Sequence, residues 1–150
     1  MEKNKGIIVA VSGGMDPLHV GHLALFKEAK KLGDTLIVIL NNDNWLRAKK
    51  GRVFMPAMDR KKIIGELACV DKVVISKHPK NPKDMSVSAE LARIKPHIFA
   101  NGGDRTSKNT PEKKICKQLN IKMAYSVGGR KARSSSELLK KYHEANSVMA

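Results

Sequence analysis

Thr35-Leu36-Ile37-Val38-Ile39-Leu40 is six residues with no polar side chain beyond its first position. An uninterrupted apolar run of that length, bounded by Gly33-Asp34 before it and Asn41-Asn42 after it, is the pattern of a strand buried on both faces, and such strands belong to parallel sheets covered by helices. Similar short runs recur. Gly6 to Val11, Val70 to Ile75, Pro96 to Ala100 and Lys122 to Ser126 each read as a strand. The segments between them carry helical spacing: residues 20–32, closed by Gly33-Asp34 in the manner of a C-terminal glycine cap, then Pro56 to Cys69, Ser86 to Ile94, Pro111 to Leu119 and finally Ser134 to Tyr142. Asn41 to Met55 reads as a polar, basic loop with one helical turn, and Ser76 to Asp84 as an exposed loop. Strands alternating with helices predict right-handed βαβ crossovers, hence a single α/β domain with a five-stranded parallel sheet and helices on both faces. At 150 residues and 41% hydrophobic, the chain is long enough to bury such a core.

Two cysteines, Cys69 and Cys116, cannot build a disulfide framework and read as reduced thiols. No window approaches eighteen apolar residues and the first residues lack a signal-peptide core, so a cytoplasmic protein without membrane contact is expected. The charge is less ordinary: 29 Lys plus Arg against 14 Asp plus Glu, a formal +15. The basic residues are spread along the chain, and aromatics are only 4%. Single-strand binders interleave cations with stacking rings, so nucleic acid is an unlikely partner, and a phosphate-handling or simply solvated surface is the better reading of the charge.

In an open α/β sheet, ligands sit beyond the carboxyl ends of the strands. The first such turn reads Ser12-Gly13-Gly14-Met15-Asp16-Pro17-Leu18-His19-Val20-Gly21-His22, directly before a helix. Glycines allow the backbone to approach a phosphate, the helix amino terminus offers unpaired N–H groups, and two histidines three apart stand at that end. Zinc is a poorer reading of the pair, because neither cysteine is nearby in sequence. A similar His-Val-Gly-His segment marks class I aminoacyl-tRNA synthetases, for which this chain is far too short.

With Lys49-Lys50, Asp59-Arg60, Gly102-Gly103-Asp104 and Arg133-Ser134-Ser135-Ser136 downstream, the chain resembles the cytidylyltransferase-like nucleotidyltransferases over essentially its whole length. Within that family it looks most like the heptose-phosphate adenylyltransferases, then the glycerol-3-phosphate cytidylyltransferases. The resemblance implies a Rossmann-like, doubly wound domain that joins a nucleoside triphosphate, ATP or CTP, to a small phosphorylated sugar or polyol and releases pyrophosphate. It also implies that His19 and His22 contact the triphosphate, that Lys49 or Lys50 approaches the α-phosphate or the acceptor phosphate, and that Arg60 lies on the acceptor side. Ser12, Gly13, Gly14, Met15, Asp16 and Gly21 would line the nucleotide in the first turn, and Gly103 and Asp104 in the fourth. Ser134, Ser135 and Ser136, with Arg130 and Arg133, would meet the β- and γ-phosphates. Mg²⁺ would enter with the triphosphate, Asp16 being at most a partial or water-mediated ligand, and the enzyme would be a homodimer. Gly14 stands where the family often has Thr or Tyr, Met15 replaces Phe, and Arg133 and Leu138 replace the outer residues of the last motif. These departures and the +15 charge keep a second class open: a homologue that binds nucleotide or nucleic acid without catalysis.

Overall fold

In the computed structural model, which describes residues 6–103, 105–129 and 134–149, five strands pair in the order β3-β2-β1-β4-β5, all parallel. The strands are β1 (Ile8–Gly13), β2 (Thr35–Leu40), β3 (Lys72–Ile75), β4 (Ile98–Ala100) and β5 (Lys122–Ala124). The helices are α1 (Val20–Lys30), α2 (Asp43–Lys50), α3 (Ala57–Gly65), α4 (Ser88–Ile94), α5 (Lys113–Gln118) and α6 (Ser135–Met149).

Because successive strand side chains point to opposite faces, each apolar strand feeds two cores. Val9 and Val11 with Leu36, Val38 and Leu40 pack on one face against Phe26 of α1 and Ile64 of α3. Ala10, Ile39 and Phe99 pack on the other against Leu91 of α4 and Cys116 of α5. The doubly wound expectation holds. Chain order reverses on the two sides of β1, so the turns after β1 and β4 splay apart above neighbouring strands and leave a crevice between them.

Three expectations change in detail. Asn41 to Met55 is not chiefly loop: it holds α2, begun by the Asn42 side chain accepting the Trp45 N–H and ended by Gly51 in the left-handed region at φ 77°. The stretch has few apolar residues to reveal a period, and its start and stop residues carry the helix instead. Gly33 is not a left-handed cap. The α1 cap is Lys31 in right-handed geometry, and Gly33 is required by close approach, since a Cβ there would stand 2.6 Å from the Ile7 carbonyl oxygen. Finally, α6 runs to Met149, past the expected end at Tyr142, because the polar residues that follow lack an apolar stripe but do not oppose helix.

Candidate functional site

The crevice beyond β1 and β4 is a cleft of about 280 Å³. Its floor is the turn Ser12 to Met15, and its walls come from the starts of α1 and α6, the end of α2, and the turns after β4 and β5.

Gly14 sits beneath α2, where a Cβ would meet Leu46 Cδ2 at 2.9 Å and Trp45 Cζ3 at 3.1 Å. The residue that seemed to lack a hydroxyl is therefore glycine because the helix crosses tightly above it. Trp45 itself lines the cleft and is fixed by its indole N–H, which donates to the Met85 carbonyl at 2.8 Å.

His19 and His22 line the cleft from the start of α1. His19 is the helix N-cap: its Nδ1 accepts the Gly21 N–H at 3.0 Å, while His22 Nδ1 accepts the His19 N–H at 3.1 Å. Two histidines thus make the reciprocal capping box that Ser/Thr and Glu usually form. The rings lie 3.8 Å apart between centroids, tilted by 31°. With each Nδ1 accepting a main-chain N–H, the proton of a neutral ring resides on Nε2, which fixes the tautomer of both. Either ring would forfeit its cap bond by taking a proton on Nδ1.

Lys49 and Lys50 reach the cleft from the last turn of α2, where cations are favoured by the helix dipole. Lys50 Nζ donates to Ser136 Oγ at 2.8 Å. Ser134 and Ser135 line the cleft at the start of α6, and Ser135 Oγ donates to the Pro17 carbonyl at 2.7 Å. That bond ties the α6 start to the first turn, across 118 residues of sequence. Gly21, Gly102 and Gly103 also border the space.

Two expected contacts lie beneath the cleft rather than in it. Arg60 is 1% exposed. Its Nε donates to the Met55 carbonyl, Nη1 to the carbonyls of Gly14 and Asn41, and Nη2 to Asp43 Oδ1, all at 2.7 to 2.8 Å. One planar guanidinium thereby joins the ends of β1 and β2, the start of α2 and the loop before α3, and it is not presented to an acceptor. Asp16, 4% exposed, likewise spends its carboxylate on the N–H groups of Phe54 and Met55, at 2.6 and 2.7 Å. Ser136 faces a groove beside the cleft, and Asp104, Arg130 and Arg133 lie outside the described residues. Among the described residues no three His, Cys, Asp or Glu side chains converge as metal ligands. The donors present suit phosphate oxygens, and a metal that accompanies those oxygens, rather than a protein-built cation cage.

Sequence reasoning missed Arg105 and the turn Val127-Gly128-Gly129, all of which border the cleft. Arg105 is held toward Glu112 at 3.3 Å. Gly128, at φ 87°, approaches α1 so closely that a Cβ would stand 2.8 Å from the Leu25 nitrogen. The Gly-Gly pair after the fifth strand, placed like the pair after the fourth, was the available signal.

The sequence profile of the cytidylyltransferase-like family matches residues 10–141. The chain belongs to that family of nucleotidyltransferases. Among the relatives of this nucleotidyltransferase, the FAD synthase of Pyrococcus abyssi is 40% identical over 106 residues, 70% of this chain and 68% of that protein. The bifunctional protein HldE of Streptomyces coelicolor is 35% identical over 115 residues. That match takes in 75% of this chain but only 24% of HldE, so the chain spans about a quarter of that relative. A lipopolysaccharide core biosynthesis protein from Thermoplasma volcanium has the same fold at a TM-score of 0.66 and 28% identity, covering 81% of this nucleotidyltransferase and 96% of that chain. Among the described residues no helix is long and apolar enough to cross a membrane.

Proposed function

We propose that this chain transfers a nucleotidyl group from a nucleoside triphosphate to a small phosphorylated acceptor, releasing pyrophosphate. The observation that carries the reading is the convergence, at the switch point of the sheet, of two Nε2-protonated histidines, two lysines and the N-terminal ends of α1 and α6. Nucleotidyl transfer asks little of a protein nucleophile. An acceptor phosphate oxygen forms a bond to the α-phosphorus as the bond from that phosphorus to the bridging oxygen of pyrophosphate breaks, and charge builds on the oxygens around it. Fixed N–H donors and ammonium groups aimed at those oxygens lower the barrier. His19 and His22 donate from Nε2 to the triphosphate, Lys49 and Lys50 neutralise the α-phosphate and the incoming acceptor, and the α6 start with Ser134 and Ser135 receives the outer phosphates. A divalent cation such as Mg²⁺, bound together with the triphosphate, would supply further charge neutralisation there. Arg60 and Asp16 act as positioning residues that hold the loop bearing Phe54 and Met55 against the turn.

The relative named FAD synthase makes ATP the first donor to test, and flavin mononucleotide and sugar phosphates the first acceptors. Pyrophosphate release is measured with ATP or CTP, Mg²⁺ and that acceptor panel. Release with at least one pair is expected; binding of triphosphate without release by any pair would replace catalysis with binding alone. A homodimer belongs to the same reading, since Phe54, in the loop before α3, and Met58, in the first turn of that helix, stand 55% and 57% exposed. Light scattering giving the mass of one chain would remove it.

A further inference from the structure

Beside the cleft lies a larger groove of about 840 Å³, open between the end of α2 and the outer turns of α6. The two spaces share Lys49 and Lys50, so a molecule can pass from one to the other without leaving the lysine pair. Arg52 continues the basic wall on the α2 side, and Lys140 and His143 face it from α6.

Glu144 is the one carboxylate among the groove's described lining residues. It stands 4.0 Å from Lys140, with side chains 64% and 76% exposed, and a pair so solvated is worth little. Four full cations around a single weakly paired acid repel one another, and an anion in the groove relieves that repulsion. Its described lining residues include no Trp, Tyr or Phe. Without a stacking platform, the groove is matched to a small polyanion rather than to the bases of a nucleic acid. Its volume also exceeds what one phosphate needs.

We propose that this groove binds a second anionic group of the acceptor, so that the natural acceptor carries a phosphate or carboxylate in addition to the phosphate that reacts. The proposal rests on the nucleotidyl-transfer reading, which makes the cleft the place where the reacting phosphate sits. Lys49 and Lys50 then hold the near phosphate, and Arg52 with Lys140 and His143 the distal charge.

Calorimetric titration of the full chain tests this with two matched pairs of probes: glucose 1-phosphate against glucose 1,6-bisphosphate, which adds a phosphate, and glycerol 3-phosphate against 3-phosphoglycerate, which adds a carboxylate. The member carrying the additional anionic group is expected, in at least one pair, to bind about tenfold more tightly, a difference of about 1.4 kcal/mol. The double variant Arg52→Ser/Lys140→Ser, changed only at exposed positions, should shrink that advantage to about twofold and leave triphosphate binding unaltered. Equal affinities within each pair, an advantage that survives the double variant, or no binding of any probe below about 10 mM would overturn the proposal. Capture of single-stranded RNA through Arg52 and Lys140, with no discrimination among the sugars, would overturn it in favour of nucleic acid. A silent pyrophosphate assay with the preference for the additional anionic group intact would remove catalysis while leaving the groove's specificity standing, so the two failures are distinguishable.

Discussion

Replacing Arg60 tests whether the floor of the site is held by one buried side chain. The guanidinium satisfies three main-chain carbonyls and a carboxylate at 1% exposure. Arg60→Met keeps an unbranched apolar stem, two atoms shorter than arginine, and removes every donor. It leaves three carbonyls and Asp43, itself 30% exposed, without that partner. Removing one member of a buried ion pair costs about 3–5 kcal/mol, a large share of the roughly 5–15 kcal/mol that holds a domain together. For a domain of this size each kcal/mol moves the melting temperature by about 2–4 °C, so a fall of roughly 6–20 °C is expected. Arg60→Lys should land between wild type and Arg60→Met, because a single ammonium cannot reproduce the span from Nε to both Nη atoms, and each carbonyl left dry costs about 1–3 kcal/mol. The assay is thermal unfolding followed by circular dichroism at pH 7.5, repeated in urea. Melting of Arg60→Met within about 3 °C of wild type would refute the reasoning. So would an Arg60→Lys protein of normal stability whose defect is a raised acceptor KM alone, since that is how a residue touching the acceptor behaves.

His22→Ala should lower kcat at least about a hundredfold while triphosphate affinity moves less than about threefold, because charge that develops in the transition state is not felt in ground-state binding; turnover within about threefold of wild type would contradict the role given to the ring. Cys116 is 1% exposed, and burial first, with Glu112 adding to it, pushes its thiol up to about 11. At pH 8 a thiol-specific alkylating reagent should therefore modify half-buried Cys69 in the folded protein and Cys116 only after unfolding, whereas equal rates would contradict that picture. Asp71 is held below its ordinary 3.8 by the Lys30 ammonium and then by the Leu36 N–H. A lowered carboxyl stabilises the fold above the unfolded value and loses that contribution as pH falls through the folded one; Asp71→Asn should be less stable near neutrality and show a shallower loss of stability below about pH 4, and parallel acid-unfolding curves for the two proteins would count against this.

The sheet was readable because its strands are apolar on both faces, which only a helix-covered parallel sheet accommodates. The histidine pair was readable because it stands between a strand, a glycine turn and a periodic helix. Helix α2 was hidden for the opposite reason: one Asn, one Asp and one Gly specify it, and its exposed face is almost wholly charged. The resemblance puts Arg60 on the acceptor side, and nothing local in the sequence indicates that the carbonyls of Gly14 and Asn41, from two distant segments, close around it together with that of Met55. Gly33 reads as a helix cap and Gly14 as a glycine open to phosphate, yet both make close contacts that no local pattern announces, with Ile7 and with Trp45 and Leu46, neighbours brought in by the sheet and by α2.

The two histidine rings are hinged on main-chain N–H groups rather than steered by a carboxylate through those same nitrogens. Their aim is thereby an attribute of the first turn of α1: the rings swing into register when that turn winds and lose it when the turn frays. Winding the helix and arming the cleft are one event. Carboxamides at positions 19 and 22 could restart the helix, but with a donor at a different reach, so redesign of this corner must treat the beginning of α1 and the grip on phosphate as a single part.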